Sequence, residues 1–168
     1  MLSNNIVPHW FCVLLQAPLR LIKNGLRLYP SSLYMLLCLG ELYCQASEAI
    51  SAIKTFKKVN KLCPHHPLPY LNASRVYQQL NQQQLAMTHM EYALAVDPTF
   101  TLTRVELAQH YLHIGQTSKA LHILDGALDS ARHVSEIKEV LTARTVAQTQ
   151  LDLQRIGLVS FQSVDQLE

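Results

Sequence analysis

One interval governs this chain. Tyr43, Tyr77 and Tyr111 stand 34 residues apart, and Ala52, Ala86 and Ala120 keep the same spacing. Pro30, Pro64 and Pro98 keep it again. A period of this length marks stacked supersecondary units, because one such unit cannot cover its own apolar face. It has room for two antiparallel helices of about 13 residues each, with their turns. The spacing therefore predicts an all-α chain. Five glycines in 168 residues agree with this, since a turn-rich β fold or a glycine-rich phosphate cradle would need more.

Helical periodicity runs inside each unit. Leu36, Leu39, Gly40 and Tyr43 fall on one helical face, and Ala49, Ala52, Ile53, Phe56 and Val59 make the next stripe. Pro64 stops that second helix, because the residue before a proline is pushed out of the α region. The pattern returns as Tyr70, Ala73, Ser74 and Tyr77, then Ala86, Met90 and Ala93, then Asp97-Pro98. It returns once more as Leu107, Ala108, Tyr111 and Gly115, then Ala120, Leu124 and Ala127. Where helix axes approach closely only Gly, Ala or Ser fits. Gly40, Ser74 and Ala108 take that place in the first helices, with Phe56, Met90 and Leu124 filling the space beside it.

These residues resemble the tetratricopeptide repeat family over 33–132. The resemblance implies a solenoid of antiparallel helix pairs with a C-terminal capping helix. Its units are expected at 33–66, 67–100 and 101–133. Residues 16–30 would be a partial repeat, with Pro18 where the family has alanine, and 1–15 an irregular or partial first helix. Residues 134–155 would be the capping helix, with Ile137, Leu141, Ala147 and Leu151 inward, and 156–168 a flexible tail. The irregular start suggests a chain that begins inside a longer array.

The resemblance also implies where a ligand sits. The first helix of each unit lines a concave groove whose positions here include Leu37 and Glu41, then Leu71, Asn72, Arg75 and Gln78, then Glu106, Gln109 and His113. The amides of Asn72, Gln78 and Gln109 could bond the backbone of an extended or helical peptide. Arg75 is open to either an internal network with Glu41 and Glu106 or a ligand carboxylate. The chaperone-binding members of the family hold a C-terminal carboxylate with a Lys/Asn/Arg clamp. Asn72 occupies one clamp position, but Leu37 and Leu102 stand in for lysine, Glu41 for asparagine and Glu106 for arginine. The clamp is absent.

No chemistry competes with a binding role. The chain has no G-x-S-x-G, no H-E-x-x-H, no P-loop and no dinucleotide fingerprint. His110 and His113 lie three apart without an acidic or cysteine ligand at matching spacing, and His65-His66 sits in a proline-flanked turn. No catalytic residue, metal site, cofactor or small-molecule substrate is expected. Lys54, Lys57, Lys58 and Lys61 form a solvated outer face of the second helix, with an acidic partner or anionic surface as the alternative. No aromatic platform interleaves with them, which disfavours nucleic acid.

The expected role is a non-catalytic adaptor or scaffold that takes a protein or peptide in its groove. The alternative is a structural subunit packing end-on into a larger assembly through an apolar N-terminal flank that includes Trp10, Phe11, Leu14 and Leu15. That alternative includes a role like the tetratricopeptide import receptor of the mitochondrial outer membrane, which residues 127–132, 147–150 and 156–158 resemble. Residues 1–63 carry seven basic and two acidic residues, whereas 64–168 carry seven and ten. The surface is therefore dipolar rather than uniformly basic. The four cysteines lack metal spacing, and Cys38 and Cys44 in an apolar helical stretch read as small buried hydrophobes, with reduced thiols and a cytoplasmic setting as the consequence. The apolar stretch 6–15 is too short to span a bilayer. Arg20, Lys23 and Arg27 all precede the first acid, Glu41, which leaves a mitochondrial association open.

Overall fold

The computed structural model describes residues 9–157. Eight helices follow one another among them: α1 His9–Leu28, α2 Leu33–Gln45, α3 Ala49–Leu62, α4 Leu68–Gln79, α5 Gln83–Val96, α6 Thr101–His113, α7 Thr117–Ser130 and α8 Val134–Arg155. The fold is all-α. Helices α3, α5 and α7 begin 34 residues apart and end 34 residues apart, at Leu62, Val96 and Ser130. The tail beyond residue 157 and the first eight residues lie outside the described residues.

The turns between paired helices repeat atom for atom. Glu48 N–H donates to Tyr43 C=O at 2.8 Å, and Gln82 to Tyr77 and Gln116 to Tyr111 each at 2.9 Å. One residue earlier, Ser47, Asn81 and Gly115 donate to Cys44, Gln78 and Leu112. This pair of bonds satisfies the last free carbonyls of a helix and requires a left-handed residue between them. Ser47, Asn81 and Gly115 are those residues, with φ of 59°, 57° and 78°. The tyrosine period is thus also a period of helix stops.

Packing divides the chain between Tyr92 and Ala93. In the first unit α1 packs on α2, α2 on α3, α3 on α4, and α2 touches α4. Its core gathers Leu36, Leu37, Ala52, Phe56, Val59, Ala73 and Val76. Gly40 lets α3 come close, since a Cβ there would lie 2.6 Å from Phe56 Cζ. In the second unit α6 packs on α7, and α8 packs on both. There Ala108, Ala120, Leu124, Ala127, Val140 and Ala147 are wholly buried in one cluster.

Two expectations change. Residues 9–28 form one continuous helix that contains Pro18, with no break near residue 15. The ring costs the helix one hydrogen bond but does not stop it here. In α8 the inward stripe is Val140, Ala143 and Ala147, at i, i+3 and i+7. Ile137 and Leu141 are exposed. Small side chains win the inner face because they let α8 approach α6 and α7 closely. A reciprocal cap fixes where α8 starts: Glu136 Oε2 accepts from the backbone N–H of Arg132 at 2.9 Å and of His133 at 3.3 Å. Those bonds hold the Glu136 carboxyl below the usual range.

Candidate functional site

The first helices present the expected positions, but not all to solvent. In the first unit Leu71 is wholly buried, so it cannot touch a ligand in this conformation. Leu37 belongs to the core cluster. Asn72 is only 3% exposed, and its amide is engaged at both ends. Its Nδ2 donates to Glu41 Oε1 at 3.3 Å, and its Oδ1 accepts from Arg75 Nη1 at 3.2 Å. Asn72 therefore sets the positions of Glu41 and Arg75 rather than offering its amide to a peptide. Glu41 is exposed, and Arg75 and Gln78 are half-buried. Cys44, one turn from Glu41, has its thiol pushed up to about 11 by burial and then by that carboxylate, so it is a neutral thiol at neutral pH.

The second unit holds a groove between α6 and α8 with a volume of about 620 Å³. Leu102, Val105, Leu112, Ala143 and Val146 give it an apolar floor. Glu106, Gln109, Lys138 and Glu139 supply polar groups along it. Gln109 is exposed, as is Val146 at 53%. Sequence periodicity placed Glu106 and Gln109 on α6 but missed the opposite wall. That wall comes from α8, outside the repeat pattern. His113 is exposed at the end of α6 and does not line the groove.

His66, His89 and His110 make contacts within the fold. His110 is 6% exposed, and burial, then His113, holds its imidazole below the ordinary value. His89 stacks on Tyr77 at 4.9 Å between ring centroids and meets Tyr92 edge-on at 6.1 Å. Burial, then Lys57, lowers its pKa too. His66 Nδ1 accepts from Leu68 N–H at the start of α4, at 3.2 Å. Among the described residues no three His, Cys, Asp or Glu side chains gather where they could hold a metal. No described helix is long and apolar enough to cross a membrane.

Identical turns at 34-residue spacing and small residues at each helix crossing point to one repeat. A family model described as the tetratricopeptide repeat matches residues 83–143. The described chain has the tetratricopeptide-repeat fold. Among solved structures it is similar to a thermophilic tetratricopeptide protein of Thermus thermophilus, at 23% identity and a TM-score of 0.68, over 84% of this chain and 75% of that one. It is also similar to the TPR2B domain of yeast Sti1, described as a complex with pHsp70, at 21% identity and 0.61, covering 70% and 97%. The Sgt2 domain from Aspergillus fumigatus matches at 14% identity and 0.63, over 76% and 84%. At these identities the likeness fixes the fold alone. No curated protein sequence matches this repeat protein.

Proposed function

We propose that this chain is a non-catalytic interaction module, an adaptor or scaffold, that takes a peptide or partner helix on the inner faces of its first helices. The α6–α8 groove carries the reading. Its apolar floor between polar walls is the form that accepts one amphipathic helix or an extended segment. The ligand differs from the C-terminal carboxylate peptides that clamp-bearing relatives hold. Leu37, Glu41, Leu102 and Glu106 stand where the clamp needs cations and an amide, and two of them are acidic. The unbridged thiols of Cys38, Cys44 and Cys63 fit a reducing, cytoplasmic setting.

The test uses side chains that reach solvent. Gln109→Ala with Val146→Glu alters the groove without opening the core, since both positions are exposed. Affinity purification with mass spectrometry from cells would compare this variant with wild type, after circular dichroism shows equal helicity. Loss of a discrete set of partners from the variant supports the groove. Recovery of the same set by both proteins overturns it.

A second reading has its own observation. Leu14, Leu21 and Leu28 lie seven residues apart along α1 and are 64%, 72% and 76% exposed. Such a stripe suits end-on packing of α1 into a larger assembly, of which a mitochondrial import complex is one example. Leu15, by contrast, is 7% exposed and turned inward. Trp10 and Phe11 lie on α1, but their side chains fall outside the described residues.

A further inference from the structure

A second cleft lies on another face of the first unit. It has a volume of about 770 Å³ and an apolar floor of Leu26 from α1, Leu36 and Leu39 from α2, and Ile50 and Ile53 from α3. Leu36 and Leu39 occupy a different side of α2 from Leu37 and Glu41, so this is not the groove face. Lys54, Lys57, Lys58 and Lys61 also line it, and none of its lining residues is acidic. The lysines continue the stripe of Ile50 and Ile53 down α3 at i, i+3, i+4 and i+7. Lys58 Nζ is tied to Pro30 C=O at 3.2 Å, while Lys54, Lys57 and Lys61 reach solvent. Ile50 is 85% exposed at the apolar end.

We propose that this cleft docks an amphipathic helix of another protein. Its apolar residues would fill the floor, and Asp or Glu at i, i+3, i+4 and i+7 would meet the lysines of α3. Charge and shape both select that occupant. Lysines 54 to 61 span about 10.5 Å along the helix axis, the rise of a two-turn acidic stripe on a helix lying beside α3. The apolar floor is recessed: Leu36 is 2% exposed and Leu39 8%. A single helix can reach into such a trough, whereas a flat bilayer surface meets the lysines first and leaves the floor empty. No aromatic ring lines the cleft to stack a base.

The probe is a fluorescein-labelled synthetic helix with two leucines one turn apart, followed by glutamates at i, i+3, i+4 and i+7. Fluorescence anisotropy with the full chain should show binding that weakens steeply as salt shortens the screening length from roughly 30 Å to roughly 8 Å. Lys54→Glu with Lys61→Glu should weaken binding about tenfold or more, because two attractive contacts become repulsive. Ile50→Ser, at an exposed site, should weaken it several-fold with unchanged helicity and melting. A peptide of the same composition with its glutamates scattered around the helix should bind about tenfold worse. The proposal is overturned if the charge-reversed protein binds like wild type, or if the scattered peptide binds equally well. It is also overturned if phosphatidylcholine–phosphatidylserine vesicles are bound and the peptide is not.

Discussion

Single atoms decide how closely the paired helices approach. Gly40 faces Phe56, which is wholly buried, and a methyl at Gly40 would meet three carbons of that ring. The two later units have a larger residue at this position, Ser74 and Ala108, where the partner position is Met90 and Leu124 rather than an aromatic ring. Gly40→Ala should therefore destabilise the fold by about 1–3 kcal/mol of overpacking, offset by up to about 1 kcal/mol of helix propensity. A lower denaturation midpoint with an unchanged denaturant slope would bear this out; an unchanged or raised midpoint would refute it. His89 and His110 act at the same scale through protons. Both are held below their ordinary pKa by burial, so the unfolded chain takes up protons first as pH falls. Their contribution to stability is complete above the unfolded value of about 6.5 and is lost as pH drops from there through the folded pKa. His89→Phe should flatten that acid limb when urea midpoints are compared at about pH 7.5 and about pH 5.5. A variant as acid-sensitive as wild type would show that other groups carry the limb.

At the scale of the element, the turn after each first helix is one device built three times from different residues. Gly115 adopts its left-handed φ at no steric cost, Asn81 adopts it readily, and Ser47 does so against its Cβ. Ser47→Gly should stabilise the first turn by up to about 1 kcal/mol, and Gly115→Ala should cost the third about 1 kcal/mol. Thermal melts moving in those opposite directions would fit; both falling together would not. These turns also show what the sequence made legible. The tyrosines, alanines and prolines report helix stops and close crossings, which recur in every unit, so the alternation of short helices from α2 to α7 was legible. The boundary expected between residues 15 and 16 came from the repeat register, yet α1 runs through it and through Pro18, whose ring removes one hydrogen bond that a 20-residue helix tolerates. For α8 Ala147 is buried as expected, but Ile137 and Leu141 are exposed, and close approach selected Val140 and Ala143 instead. The groove was half legible. Periodicity gives the direction in which Leu71 and Asn72 point, but their depth depends on how the neighbouring helices close over them, and the wall from α8 has no counterpart in the repeat.

Across the whole molecule, charge and exposed apolar surface meet at the N-terminal end. Leu14, Leu21 and Leu28 recur every seven residues, and a straight helix drifts only about 20° per heptad, so the three leucines share one seam. Arg20, Lys23 and Arg27 lie on the same helix with no acidic residue in its first turn. Two copies pairing through this seam would bury the leucines but bring like charges together. Self-association should therefore rise with protein concentration and strengthen as salt is added, because screening removes the repulsion while the apolar contact persists. The lysine cleft on α3 predicts the opposite dependence for its acidic probe, so one salt series separates the two surfaces. Leu21→Glu with Leu28→Glu should leave a monomer by sedimentation velocity at every salt concentration, with helicity unchanged because both positions are exposed. If wild type stays monomeric at high salt and high concentration, α1 does not pair with a second copy. If the double variant assembles as wild type does, the contact lies elsewhere on the molecule.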